Sequence, residues 1–165
     1  MKFLINVILL LYFSYPVFSQ NDVNRKILSE FILVNEDFNC ILDTIIEEYN
    51  QCKNKKKGHH FTITIGEFSD EEYLGMKSLS ICESYYKDFI SYYDDFVSDG
   101  YGFFYYKSHL FILYGLQSND IFKKTENSQI FPYKREPITI FDPSRWLYYY
   151  WNKKFYLADS SPCGG

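Results

Sequence analysis

Four cysteines are the most reactive side chains in this 165-residue sequence, and their spacing bears on both metal binding and covalent cross-linking. The spacing is wide and irregular, without the C-x-x-C pairs of zinc sites. An even number of cysteines is typical of two disulfide bonds in an oxidising compartment. The disulfide candidates are Cys40, Cys52, Cys82 and Cys163. We predict no metal site and no cofactor.

Histidines and carboxylates give no recognisable catalytic pattern. His59 and His60 are adjacent, so in an extended segment they point to opposite faces, and His109 lies far along the chain. The H-E-x-x-H, G-x-S-x-G and S-x-x-K signatures are all missing from the sequence. The 21 acidic residues can be paired in too many ways for spacing to identify a glycosidase pair. No catalytic residue is therefore predicted.

Aromatic residues make up 21% of the chain and offer the other candidate site. Tyr148, Tyr149, Tyr150 and Trp151 are consecutive. In a strand only alternate members share a face, so either Tyr149 with Trp151 or Tyr148 with Tyr150 points outward. We name Tyr149 and Trp151 as candidate binding aromatics, since such rings give large amphipathic contacts. An AT-rich genome would also enrich Phe and Tyr by codon usage alone.

Residues 1–19 have the layout of a secretory signal peptide. Lys2 is followed by an apolar run that ends before Pro16, and Val17-Phe18-Ser19 matches a cleavage site. The run is shorter than the roughly 20 residues of a membrane-spanning helix. We predict cleavage after Ser19, export to the periplasm or outside the cell, and no transmembrane segment afterwards. Residues 20–165 would form one globular domain with a short flexible C-terminal tail.

Residues 22–52 contain neither Gly nor Pro and keep helical periodicity throughout. The pattern predicts one long helix, kinked near Asn35, with two antiparallel helices as the alternative. Cys40 and Cys52 would lie about 18 Å apart along such a helix, too far to bridge. The remaining pairings are 40–82 with 52–163, or 40–163 with 52–82.

The rest of the chain predicts a second helix and a small antiparallel sheet. Residues 61–65 alternate as a strand, and residues 69–72 form a capping box before a short helix. A second capping-box pattern begins a helix over residues 81–97. Two hairpins are predicted, at 101–106 with 110–114 and at 146–151 with 155–158. The expected fold is α+β, with both helices packed on this sheet.

The net charge of the chain limits the classes of molecule that it could bind. The net charge of −4 argues against nucleic acid, which is held mainly through Lys and Arg contacts to phosphate. We predict a binding protein, acting as an inhibitor, an immunity-type antidote or an envelope accessory factor. Its partner would be another protein, met through acid-rich residues 67–72 and 94–99. A glycan-binding module using Tyr149 and Trp151 is the alternative, and a small hydrolase with an unlocated carboxylate or histidine site is a third.

Overall fold

A computed structural model describes residues 24–52, 60–84, 90–92, 102–115, 118–135 and 143–164, which form one nine-stranded sheet and one α-helix. The helix is α1 (Glu36–Gln51). The strands are β1 (Asn24–Leu33), β2 (His60–Glu67), β3 (Lys77–Ser84), β4 (Ile90–Tyr92), β5 (Gly102–Tyr106), β6 (His109–Gly115), β7 (Phe122–Arg135), β8 (Arg145–Trp151) and β9 (Lys154–Ser161). A short 3₁₀ helix, Glu71–Tyr73, lies between β2 and β3.

The sheet is mixed, in the order β4-β7-β1-β5-β6-β2-β3-β8-β9. Three neighbouring pairs are parallel, namely β1 with β5, β2 with β6 and β4 with β7. The other five pairs are antiparallel. The predicted α+β fold, with two long helices on a small antiparallel sheet, is therefore wrong. Strands dominate, and α1 is the one α-helix among the described residues.

The first half of the predicted long helix is a strand. β1 occupies Asn24–Leu33, and the sequence misled because Leu28 and Phe31 are both buried at a helix-like spacing of three. The two residues are an odd number of positions apart, so strand alternation places their side chains in cores on opposite faces of the sheet. The second half is helical. Asn35 caps it, its Oδ1 accepting a 3.1 Å hydrogen bond from the Phe38 amide.

The predicted helix over 81–97 is also wrong where the structure describes it. Residues 81–84 belong to β3 and residues 90–92 form β4. Ile81 and Glu83 alternate with Leu79 toward the core, so period two and not period 3.6 governs this segment. A Ser-x-x-Glu spacing occurs in a strand as readily as in a helix. Residues 85–89 and 93–101, which include the acid-rich stretch 94–99, lie outside the described residues.

Both predicted hairpins are present, as β5–β6 and β8–β9. Each turns on two residues with positive φ, Lys107 and Ser108 in the first and Asn152 and Lys153 in the second. Two consecutive residues with positive φ are typical of the type I′ turn, whose twist matches that of the flanking strands. The predicted strand 61–65 is the centre of β2, which lies inside the sheet between β3 and β6.

The main core lies between α1 and one face of the sheet, which we call the helix face. Phe38, Leu42, Ile45 and Tyr49 of α1 pack there on residues from most of the strands. Stacked rings form its centre, with Phe111 at 5.0 Å from Phe61 and 4.9 Å from Phe104 between centroids. A smaller cluster on the opposite face contains Leu28, Phe103, Ile112, Tyr114 and Phe131.

Candidate functional site

One disulfide joins Cys52, at the end of α1, to Cys163, with Cα atoms 5.5 Å apart. This bond belongs to the first of the two predicted pairings. Its companion, Cys40–Cys82, does not form. Cys40 is exposed on α1, whereas Cys82 alternates with Leu79 and Ile81 and so points away from the helix. The sheet separates the two thiols. The bond indicates an oxidising environment.

A buried carboxylate beside the disulfide is held by neutral donors. Glu83 is 4% exposed, and its Oε1 accepts a 2.8 Å hydrogen bond from the Tyr49 hydroxyl. Its Oε2 accepts a 3.4 Å hydrogen bond from the backbone amide of Ser144. The side-chain hydroxyl of Ser144 in turn donates to the Pro162 carbonyl. These contacts connect α1, β3 and the C-terminal segment. The arrangement is structural, since charge-assisted hydrogen bonds satisfy a carboxylate that water cannot reach.

The histidines do not assemble into a site. His60 is 5% exposed in β2, and the His109 ring packs edge-on against Phe61 at 5.8 Å. His59 lies outside the described residues. Within the described ranges, no three His, Cys, Asp or Glu side chains come together as metal ligands would.

Tyr149 and Trp151 lie on the face of the sheet opposite α1, which we call the open face. Tyr148 and Tyr150 are buried in the helix-side core, so alternation turns Tyr149 and Trp151 outward. Trp151 is 41% exposed. Tyr156, paired with Tyr149 across β8 and β9, adds a third exposed ring on the same face.

The β2–β3 loop adds carboxylates and a protruding apolar tip beside these rings. Its Phe68 packs edge-on against Tyr149 at 5.5 Å and contacts Tyr73 at 6.2 Å. Leu74, at the tip, is 78% exposed. The four exposed carboxylates of this segment are Glu67, Asp70, Glu71 and Glu72. No Lys or Arg occurs between Glu67 and Gly75.

Backbone hydrogen bonds fix the shape of this loop. The Phe68 amide donates to the Met76 carbonyl at 3.2 Å, and the Met76 amide donates to Tyr73 at 2.9 Å. Gly75 takes a φ of +80°, which permits the tight turn that leads the chain into β3. The expected helix is only the 3₁₀ turn, and Asp70 caps it without a side-chain hydrogen bond. Leu74 is therefore presented on an ordered loop.

We call the combined surface the acidic–aromatic patch. It consists of Tyr73, Leu74, Tyr149, Trp151 and Tyr156 together with the loop carboxylates Asp70, Glu71 and Glu72. Sequence analysis identified Tyr149, Trp151 and the acidic segment separately, and it missed Leu74. The available signal was the pair Tyr73-Leu74, two large side chains that directly follow three acidic residues and precede a glycine.

Small hydroxyl side chains line the open face next to the patch. Thr64 of β2 pairs with Ser80 of β3, and Gly66 pairs with Ser78. A Cβ on Gly66 would lie 2.9 Å from the Ser78 hydroxyl. Glycine at this position therefore leaves the surface between the two strands free of a side chain. Ser78 in turn pairs with Tyr149. A row of hydroxyls thus ends at an aromatic ring.

A second polar cluster joins the middle of α1 to the β5–β6 turn. The Tyr106 hydroxyl donates a 2.6 Å hydrogen bond to Asp43, and Lys107 Nζ lies 2.7 Å from the same oxygen. Burial, followed by the hydrogen bond to Asp43, raises the pKa of Tyr106 to about 12. The hydrogen bonds from Lys107 and Tyr106 lower the pKa of Asp43.

The architecture defines a mixed-sheet protein that is mostly β. Comparison of the sequence with family models and curated proteins, and of the structure with solved structures, finds no match in any of the three. No helix in the described part of the chain has the length and hydropathy to cross a membrane.

Proposed function

We propose that this chain is an exported interaction protein that binds a basic surface of another protein through the acidic–aromatic patch. The observation that carries the proposal is Leu74, 78% exposed on an ordered acidic loop that packs against Tyr149. Leu74 belongs to a group of exposed apolar side chains with Tyr73, Trp151 and Tyr156, and such groups, unlike single exposed residues, mark interaction sites. Export is supported by the predicted leader 1–19 and by the disulfide.

The composition of the patch suits protein recognition. Tyr and Trp are enriched among residues that dominate binding energy, and Tyr149 is held in place by Phe68. The loop carboxylates place negative charge on the loop side of these rings, and Lys154, paired with Trp151, lies on the hairpin side. Charge complementarity of this kind accelerates association with a basic partner and makes it depend on salt.

Affinity capture from the source's exported proteins tests this proposal. The wild type is compared with Leu74→Ser/Trp151→Ser, and with Ile130→Ser as a control, since Ile130 is 58% exposed on β7 away from the patch. We expect a partner retained by the wild type and the control, lost by the double variant, and released by salt. A partner retained by all three proteins, or no partner at all, would contradict the proposal.

Carbohydrate is the second candidate ligand, favoured by the row of hydroxyls that ends at Tyr149. Hydroxyls donate and accept hydrogen bonds, and an adjacent ring offers an apolar surface to a sugar. A glycan array distinguishes the two candidates. Glycan binding should be lost in Tyr149→Ala, retained in Leu74→Ser, and nearly independent of salt.

A further inference from the structure

β9 forms one edge of the sheet. It is the last strand in the sheet order and, within the described part of the chain, it pairs with β8 alone. Every second backbone amide and carbonyl of β9 therefore points away from the sheet. Six of its eight residues are exposed, and two of these, Tyr156 and Leu157, are large and apolar. An accessible edge of this kind is a template for pairing with another strand.

β9 is held in place at both ends. It begins directly after the positive-φ turn of the β8–β9 hairpin, and the disulfide of Cys52 with Cys163 fixes the chain two residues after its end. The Gly164 amide also donates a 3.2 Å hydrogen bond to the Ser161 carbonyl. A strand that is already ordered loses little conformational freedom when a second strand pairs with it.

A β-bulge limits the part of β9 that can pair regularly. Two consecutive residues of β8 pair with Leu157 and Asp159, so Ala158 between them is the extra residue. Bulges and charged side chains often protect an edge from pairing. Four residues before this bulge form a regular strand, and the charge among them is Lys154 at the start.

The side chains of the regular part alternate between the two faces of the sheet. Phe155 packs against Tyr150 at 4.6 Å on the helix face. Tyr156 lies on the open face, and Leu157 returns to the helix face. Residues directly opposite each other in antiparallel strands share a face. A second antiparallel strand must therefore match this alternation.

An antiparallel copy of β9 centred on Tyr156 meets this condition. Tyr156 then lies opposite its own counterpart, and Phe155 lies opposite Leu157 of the second copy. The exposed Leu157 thus gains an aromatic contact at the margin of the main core. Lys154 of each copy lies diagonally across from Asp159 of the other copy, so two ion pairs flank the two-fold axis.

We propose that this protein forms a two-fold symmetric dimer in which the β9 strands of two copies pair antiparallel about Tyr156. A second copy is the favoured occupant because β9 carries Lys154 at its start and Asp159 near its end, so the strand complements itself. An edge paired with itself is closed, so assembly through β9 stops at two copies.

The dimer would place two acidic–aromatic patches side by side on one continuous open face. Two linked patches can bind a partner with two matching sites more tightly than one patch can. Dimer formation needs no ligand and does not rest on the proposed function. Either proposal can therefore fail without the other.

Sedimentation equilibrium at several protein concentrations tests the dimer. We expect the mass of the wild type to rise reversibly from that of one chain to that of two. Lys154→Glu and Asp159→Lys should each weaken association about tenfold, because both ion pairs become like-charge contacts. Lys124→Glu, at an exposed position of β7, is the matched control and should change nothing.

An equimolar mixture of Lys154→Glu and Asp159→Lys should associate as tightly as the wild type, because opposite charges face each other again in the mixed dimer. Restored association also shows that both variants fold, although Asp159→Lys removes the 3.5 Å contact with Arg145. A wild type that stays monomeric, single variants that associate normally, or a mixture no stronger than its components would overturn the proposal.

Cysteine cross-linking tests the register in a Cys40→Ser background, which removes the exposed thiol. Tyr156→Cys should form an intermolecular disulfide on mild oxidation, because its two copies would lie about 5 Å apart between Cα atoms. Leu157→Cys is the control, since its two copies would be about 8 Å apart, too far to bridge. Cross-linking of Leu157→Cys that equals or exceeds that of Tyr156→Cys would contradict the pairing about Tyr156.

Discussion

The ring of Phe31 lies against Gly102, in the space that a side chain at position 102 would occupy. A Cβ there would overlap ring atoms Cδ2 and Cε2 of Phe31 and approach the Ser29 carbonyl oxygen at 3.1 Å. Gly102 and Phe103 are the two β5 residues that pair with β1. The contact therefore lies at the point where β1 and β5 pair before they separate.

Gly102→Ala should destabilise the protein, because the added methyl forces Phe31 out of a packed core. We expect a loss of about 1–3 kcal/mol in the free energy of unfolding, measured with urea. In Phe31→Leu/Gly102→Ala the smaller side chain makes room, so the double variant should lose less than the sum of the single variants. Additive losses would show that the ring does not impose glycine at this position.

Tyr49→Phe should weaken the connection between α1 and β3. The substitution removes a 2.8 Å hydrogen bond from a carboxylate that is 4% exposed. We expect a cost of about 1–3 kcal/mol in unfolding free energy. Tyr156→Phe, at an exposed position, is the control and should be nearly neutral. Equal stability of the two variants would mean that water or another donor replaces Tyr49.

Replacing the disulfide in Cys52→Ala/Cys163→Ala should lower stability strongly. The bond closes a loop with a sequence separation of 111, for which chain entropy predicts about 4–5 kcal/mol. Cys40→Ser should have little effect. Peptide mapping of the non-reduced wild type should show the 52–163 linkage, and a Cys40–Cys82 peptide would contradict the structure.

The two thiols should differ in reactivity. Burial raises the pKa of Cys82, which reduces its thiolate fraction near neutral pH, whereas Cys40 is exposed. A thiol-specific reagent should label Cys40 rapidly and Cys82 slowly, with the slow rate still rising at alkaline pH. Cys40→Ser should remove the fast phase alone. Rapid labelling of that variant would show that Cys82 is accessible.

Tyr106 should titrate with a pKa of about 12, well above the ordinary range of a tyrosine hydroxyl near 10. The folded state holds this proton more tightly than the unfolded state, so its contribution to stability is present below pH 10 and declines between pH 10 and 12. Carbon-13 labelling of tyrosine Cζ, assigned with Tyr106→Phe, measures it. Asp43→Asn should lower this pKa and Asp70→Asn should not. Equal effects would indicate a non-specific change in charge.

Sequence analysis predicted the secondary structure correctly where the apolar residues followed one unambiguous period. β2 alternates at Phe61, Ile63 and Ile65, and Asn152 supplies a residue suited to positive φ. It failed at β1, where burial on both faces imitates a helical stripe. The neighbouring strands β5 and β7 cannot be read from local spacing, because they pair with β1 from distant parts of the chain.

The same limit applies to the candidate sites. Alternation restricted the outward pair to Tyr149 with Trp151 or Tyr148 with Tyr150, and only burial by α1 decides between them. The combination of β3 and β8 side chains could not be predicted either. Ser78 pairs with Tyr149 only because β8 lies beside β3, and sheet order is a property of the complete chain.

That strand order also has a consequence for how the chain folds. β1 is inserted between β5 and β7, so Glu30 pairs with Phe103 and Asn24 pairs with Tyr133. Neither neighbour is available until most of the sequence has been synthesised. Pairings of such high contact order require closure of long loops, which places folding in the millisecond-to-second range typical of β proteins. We therefore expect the first strand to dock late, and conditions that delay its docking to favour aggregation through the open slot between β5 and β7.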